Sequence, residues 1–234
     1  MATYNGADYI KPQIDSILSQ LSKQDELIIS DDSSADRTVE IIERIDDSRI
    51  RLLRGSTARN PIFNFENALK QATGDIIFLA DQDDVWLPDK VRVMTEELQN
   101  CDLVVSDARI IDETGKVDPR SFYDAMHSGP GLLKNICKNT FLGCCMAFRA
   151  DVLEWALPFP KDVPMHDMWL GLVAEMFGTT RFCPQVLMHY RRHAENASST
   201  LDPSPFSLLQ KLRFRWILIK CLLGRYRQRR DLLK

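Results

Sequence analysis

Apolar residues recur along this chain in two alternating rhythms. Ile14, Ile17, Leu18 and Leu21 fall at helical spacing within KPQIDSILSQL, whereas Leu27, Ile28 and Ile29 form a short unbroken run that stops at Asp31 and Asp32. The alternation then repeats. Ser34 to Asp36 can cap a helix over RTVEIIERI, RIRLLRG reads as a strand, and NPIFNFENALKQATGD reads as a helix closed at Gly74. DIIFLA, residues 75–80, is a continuous apolar run of the kind found in a strand buried on both faces. PDKVRVMTEELQN, with Pro88 in its first turn, is the next helix, and CDLVVSDARII one more strand. Strands alternating with helices of about 10 to 15 residues predict an α/β domain, a mostly parallel central sheet flanked by helices in Rossmann-like layers. After about residue 110 the regularity fades into FLGCCMAFR (strand), HDMWLGLVAEMF (helix) and QVLMHYRRHAENAS (strand, then loop).

Ligands of such sheets sit outside the carboxyl ends of the strands. Two acidic clusters fall there: Asp31 with Asp32, and Asp81, Asp83 and Asp84 in FLADQDDVW, directly behind the buried run. Carboxylates this close repel one another unless solvent or a cation neutralises them. A hard divalent ion that also holds a substrate's phosphates suits them. The plain alternative has Asp84 capping the helix near Pro88 and the other two in water. DDSSADRT likewise is good turn and capping chemistry, or it places Asp31 and Asp32 to accept hydrogen bonds from a base or ribose.

The 234 residues are 44% hydrophobic and 27% charged, which excludes disorder and collagen-like repeats. A net charge of −3 argues against a general nucleic-acid binder, yet the charge is uneven. Residues 207–234 hold nine Lys or Arg against one acid, so a basic tail of +8 follows a body of −11. Within that tail, WILIKCLLG is too short to span a bilayer and suits an amphipathic interfacial helix held by anionic lipid. Packing on the body, or on a second subunit as a homodimer, is the other reading. DPSPFS, from Asp202, divides a body over 1–201 from a tail over 202–234. The six cysteines show no C-x-x-C spacing and read as free thiols of a reducing compartment. With no signal peptide ahead of the first motif and no run of about 18 apolar residues, the expected location is cytoplasmic, at the inner face of the cell membrane.

MATYNG, IISDDSSADRT, NFENAL before GDIIFLADQDDVWLPDKV, then GCCMAFR, HDMWL and YRRHAENAS follow in one order over about residues 1–200. The set resembles the family 2 glycosyltransferases of the GT-A fold. DQDD-x-W-x-P-x-K with HD-x-W resembles their bacterial rhamnosyltransferase-like branch, which builds polysaccharides. The resemblance implies an inverting, metal-dependent transfer from a dTDP- or UDP-sugar to a glycan, often lipid-linked. It also implies roles by position. Thr3, Tyr4 and Asn5 would lie along the nucleotide, Asp31 or Asp32 on the pyrimidine edge, Arg59 at the phosphates and Asp81 near the ribose. Asp83 would hold a Mg2+ or Mn2+ bridging the diphosphate, with His193 in the loop that closes over it. Asp167 matches the general base. Its neighbours Met165, Met168 and Trp169 read, from their chemistry, either as raising its pKa or as an acceptor platform for sugar stacking, with His166 and Trp169 the acceptor-binding candidates.

The bare chemistry agrees, since a diphosphate leaving group favours a Lewis-acidic cation and a carboxylate opposite it can take the acceptor hydroxyl's proton. Without the resemblance, Asp167 reads equally as a helix N-cap, and His166 and His189 as structural residues. Two features depart from the family. An apolar strand usually precedes ATYNG, whereas Met1 stands where it should end, so the native chain is expected to start upstream. STARNPIF lacks the glycine-rich form expected before the helix, so Arg59 is placed at the phosphates by position alone. A nucleotidyl- or phosphotransferase using the same acids would show a Gly-rich phosphate loop, which is not present, or a D-x-D-x-[TV] nucleophile, a pattern that DQDDV, residues 81–85, does match. An inactive membrane-associated binding module would differ from both in turning over no sugar nucleotide.

Overall fold

A computed structural model of the chain describes residues 1–55, 59–194, 196 and 207–232. Its first half follows the expected alternation: β1 (Ala2–Thr3), α1 (Ile10–Leu18), β2 (Leu27–Asp31), α2 (Thr38–Glu43), β3 (Ile50–Leu53), α3 (Pro61–Leu69) and β4 (Ile76–Phe78). β1, β2 and β3 pair in parallel in that order. β2 is buried along its whole length, which is why LIIS shows no polar alternation. β1 is only two residues long, yet it is seated: Met1 N donates to Ile28 O at 2.8 Å and Ser30 N to Met1 O at 2.9 Å. Asn60 starts α3 by accepting from Ile62 N at 2.9 Å, with Pro61 in the first turn. The helix stops short of Gly74, because Gln71 N and Ala72 N bond back to Ala68 O and Leu69 O in tight turns.

The second half is built differently. It comprises β5 (Val85–Trp86), α4 (Lys90–Glu97), β6 (Leu103–Asp112), β7 (Val117–Ser121), α5 (Phe122–Met126), α6 (Leu132–Cys137), β8 (Met146–Arg149), α7 (Asp151–Ala156), α8 (His166–Phe177) and β9 (Thr180–Arg192). Its sheet runs β4-β8-β6-β9-β5 with β7 beside β6, and the pairing is antiparallel except between β6 and β9. The α/β layering is therefore as expected, with parallel pairing concentrated in β1–β3 and β6/β9. Leu103, Val105, Met146, Phe148, Trp169 and Leu172 centre the core, each at most 1% exposed. α8 is buried continuously from His166 to Ala174, as a helix apolar on all sides must be.

The basic tail forms α9 (Leu208–Leu232). Leu218 and Leu222 bury one face against the body, where Arg225 donates to Leu157 O at 2.8 Å and Pro158 O at 2.6 Å. A second stripe stays exposed: Leu209, Leu212, Trp216, Ile219, Leu223 and Tyr226, at alternating steps of three and four. The packed and the open readings of the tail thus apply to different faces of one helix. The boundary at Asp202 lies outside the described residues. All six cysteines are free, and among the described residues no helix is long and apolar enough to cross a membrane.

Candidate functional site

The carboxyl ends of β1, β2 and β4 converge on a cavity of about 400 Å3. Thr3, Tyr4, Asp32, Arg59, Asp81 and Asp83 line one side of it; Gly143, Met165, His166 and Asp167 line the other. Four candidates read from the sequence do not line it: Asn5, Asp31, His193 and Trp169.

Adjacent acids at the end of β2 part company because successive side chains on an extended backbone point to opposite sides. Asp31 is consumed by the turn, accepting from Thr3 Oγ1 at 3.0 Å, Ser34 N at 2.9 Å and Ser34 Oγ at 2.5 Å. Asp32 points the other way. Its Oδ2 accepts from Asn60 N at 3.0 Å, its buried Oδ1 has no partner among the described residues, and Asp32 is one of the residues that line the cavity. Asn5 is also structural. Its backbone sits at φ 50°, and its Oδ1 accepts from Ala35 N at 2.8 Å, pinning one loop to the next. Tyr4 is held by its peptide group, which donates to Gln82 Oε1 at 2.8 Å and accepts from Gln82 Nε2 at 2.9 Å. Gly6 leaves the space that Gln82 occupies; a β-carbon there would overlap the Gln82 amide.

The acidic loop behind β4 carries three carboxyls with three environments. Asp81 is pushed up to about 7, first by burial and then by the charges of Asp83 and Asp167. Asp83 is gripped at one oxygen, with His193 Nε2 at 2.8 Å and Asn196 Nδ2 at 3.1 Å from Oδ2. His193 in turn stacks on Tyr9, ring centres 4.9 Å apart. Asp84 does not cap a helix: α4 begins at Lys90 with Asp89 before it, and Asp84 Oδ1 instead accepts from Arg191 N at 3.0 Å. Burial and the neighbouring acids hold its carboxyl well above the usual range, and Oδ2 has no partner among the described residues.

Asp167 lies in the first turn of α8 and is not its N-cap, a position held by Met165. Its Oδ1 accepts from Met168 N at 2.6 Å, and burial raises its pKa from 3.8 to about 6. Gly143 permits the close approach of its loop, since a β-carbon would sit 3.0 Å from His166 Nε2 and 3.3 Å from Asp167 Cβ. His166 stacks on Phe65 at 4.0 Å, and burial alone pushes its imidazole down to about 3, so the ring is neutral. Trp169 corrects the expectation of an acceptor platform. It is fully buried, with Nε1 donating to Ala156 O at 3.0 Å, because α8 turns no side to solvent along this stretch. His189 is structural as expected, paired opposite Val85 in the β5/β9 ladder.

Sequence reasoning gave no role to Gln82, Asn60, Asn64 and Asn196, although Gln82, Asn64 and Asn196 stand inside the quoted motifs; the side chains of Gln82, Asn64 and Asn196 tie one loop to another, and that of Asn60 caps α3. Asp81 and Asp83 present carboxylates to the cavity with an imidazole against one of them, a set that fits Mg2+ or Mn2+ by its oxygen donors and by the repulsion a cation would relieve. A second trio, Asp81, Asp84 and Cys144, has ligand atoms within 4.8 Å of one another. Its thiol is buried and its pKa raised, so it offers a hard cation nothing.

Comparison with known proteins follows the same outline. The family model described as Glycosyl transferase family 2 matches residues 1–155. Among curated proteins, the Escherichia coli UDP-Glc:alpha-D-GlcNAc-diphosphoundecaprenol beta-1,3-glucosyltransferase WfaP is 29% identical over 199 residues, covering 85% of this chain and 78% of its own. Among solved structures, S. aureus TarS 1-349 in complex with UDP-GlcNAc matches with a TM-score of 0.69 and 19% identity, over 93% of this chain and 64% of TarS 1-349. The mannosyltransferase PcManGT from Pyrobaculum calidifontis, in complex with GDP-Man and Mn2+, matches with a TM-score of 0.65 and 22% identity, over 83% of this chain and 56% of its own. These structures share the fold, which is the GT-A arrangement.

Proposed function

Because the chain belongs to glycosyl transferase family 2, we propose that it moves a sugar, with inversion, from a pyrimidine nucleotide sugar to a lipid-linked glycan in cell-surface polysaccharide synthesis. The observation that carries this reading is one cavity lined by four acids: Asp32 with a buried acceptor that has no partner among the described residues, Asp81 and Asp83 from one loop, and Asp167 from α8.

Asp32 Oδ1 can accept the N3–H of uracil or thymine, a donor that cytosine lacks. Thr3 and Tyr4 form the wall along the nucleoside, with Arg59 at the rim for the phosphates. A divalent cation held by Asp81 and Asp83, with His193 behind Asp83, would act as a Lewis acid on the diphosphate and stabilise the leaving group's charge. Asp167 takes the acceptor hydroxyl's proton as that oxygen attacks the anomeric carbon. A pKa of about 6 leaves it ionised at neutral pH while keeping it basic enough for the transfer. Met168 N fixes the carboxylate by bonding Oδ1.

The exposed apolar stripe and the cations of α9 support a transferase body up to residue 201 and a tail that lies on the inner face of the cell membrane. dTDP-rhamnose, suggested by the HD-x-W and DQDD motifs, and UDP-glucose, the donor of the E. coli relative, are the first donors to test. Thermal shift with and without Mn2+ should raise Tm for a UDP- or dTDP-sugar only when the metal is present, and not for a CDP-sugar. Equal shifts from the CDP-sugar, or shifts indifferent to metal, would contradict the reading.

A further inference from the structure

The motif DQDD-x-W-x-P-x-K ends in Lys90, a residue that does not line the donor cavity formed by the motif's acids. Lys90 is fully buried at the start of α4. Its ammonium donates to Cys144 O at 2.7 Å and to Met188 Sδ at 3.2 Å, lies 4.9 Å from the centre of the Trp86 ring, and forms no ion pair among the described residues. Burial pushes its pKa down, opposed by the surrounding titratable groups, the thiols of Cys145 and Cys144 and the carboxyls of Asp84 and Asp81. Enclosing a cation without a carboxylate partner is costly, and an apolar side chain of the same length would fill the space without that cost. Stability therefore does not account for a lysine here.

What the ammonium holds is a short turn. Gly143–Cys145 form a single turn of 3-10 helix ahead of β8, with Cys145 N donating to Leu142 O at 3.0 Å and Met146 N to Gly143 O. Leu142 and Gly143 line the donor cavity, and Gly143 N reaches the Asp167 carboxylate. Three residues of 3-10 helix have few and poorly aligned bonds of their own. Lys90, 54 residues before Cys144, adds a charge-assisted bond from outside the turn.

We propose that Lys90 is a positioning residue for sugar transfer: by holding the Cys144 carbonyl it fixes the turn that carries the Gly143 N–H to Asp167, and so aims the carboxylate that takes the proton. One stretch of chain then serves both sides of the cavity. Asp81 and Asp83 face it directly, and Lys90 reaches beneath them to the turn beside the base. The effect on transfer rests on the transferase reading of Asp167; the hold on the turn does not.

The test compares the full chain with Lys90→Met, which keeps the length of the side chain and removes the donor. Turnover is read as nucleotide release from UDP-glucose and dTDP-rhamnose with Mn2+, water standing in for the acceptor hydroxyl. In Lys90→Met, kcat should fall by about tenfold or more while the donor KM moves less than about twofold and Tm does not fall. The acid limb of the kcat profile, near pH 6 in wild type, should move up, because Asp167 loses a donor that favours its charged form. Independently of activity, amide hydrogen exchange at Cys145 and Met146 should quicken by about tenfold or more. Lys90→Gln, polar but one atom shorter, should give the same split if Lys90→Met fails to fold. Unchanged kcat in the folded variants, a loss confined to the donor KM, or unchanged exchange at Cys145 and Met146 overturns the assignment. If wild type turns over neither donor, the transferase reading loses its support, while exchange still decides whether Lys90 holds the turn.

Discussion

Asp167→Asn should abolish transfer and at the same time make the protein more stable at alkaline pH and less stable at acid pH. Folding raises this carboxyl's pKa from 3.8 to about 6, so the native state holds the proton more tightly than the unfolded chain does. Below 3.8 both states are protonated and nothing is lost; between 3.8 and about 6 the destabilisation grows with pH, and above that it is constant. A difference of that size corresponds to about 3 kcal/mol at pH 8. Asparagine has no charge to desolvate, but its amide cannot accept at both positions where Met168 N and Gly143 N now approach the carboxylate. Losing one such bond costs about 1 to 1.5 kcal/mol. The net is a gain of about 1.5 to 2 kcal/mol near pH 8 and a loss of about 1 kcal/mol near pH 4. Urea unfolding followed by circular dichroism at the two pH values, without metal, measures both. A stability change equal at the two pH values would refute the buried, strained carboxylate, and retained transfer would refute its role as base.

Other outcomes follow from the same site. kcat should rise with pH through about 6 and then level off, as Asp167 becomes ionised; a profile flat from pH 5 to 8 would remove it as the base. Asp83→Ala should eliminate the metal-dependent part of donor binding, read by thermal shift with UDP and Mn2+, whereas Asp167→Asn leaves it intact; equal losses in both would break the division of labour. Trp169→Ala should cost about 3 to 5 kcal/mol of stability as a core deletion. If instead it raised the acceptor KM with Tm unchanged, Trp169 would be the stacking platform after all.

How much of this was legible in the sequence differs element by element. The first half of the fold was readable because its strands write themselves as unbroken apolar runs, LII in β2 and IIF in β4, each soon followed by acids. Strand direction in the second half was not, since apolar periodicity fixes which face is buried and says nothing about polarity; β8 reads alike whether it runs with β6 or against it. The same limit separated Asp31 from Asp32. One residue of phase sends one carboxylate into the turn and the other to the cavity, and only the backbone settles that phase. Trp169 was misplaced for the opposite reason: a motif position beside a reactive acid carries no information about burial when every face of its helix is covered. The side-chain amides of Gln82 and Asn196 were invisible because their work is geometric, tying one loop's backbone or carboxylate to another's.

The clamp between Gln82 and Tyr4 has a consequence for sequence drift. The side-chain amide stands in for a peptide group, so two loops far apart in the chain share a two-rung ladder across the mouth of the site. Gly6 is what admits it. Positions 6 and 82 therefore cannot vary independently: any side chain at 6 evicts the amide, and a glutamate at 82 keeps one rung while turning repulsion on the other. Laboratory libraries around this loop should recover changes at the two positions as pairs, and single changes at either should be rare among functional clones.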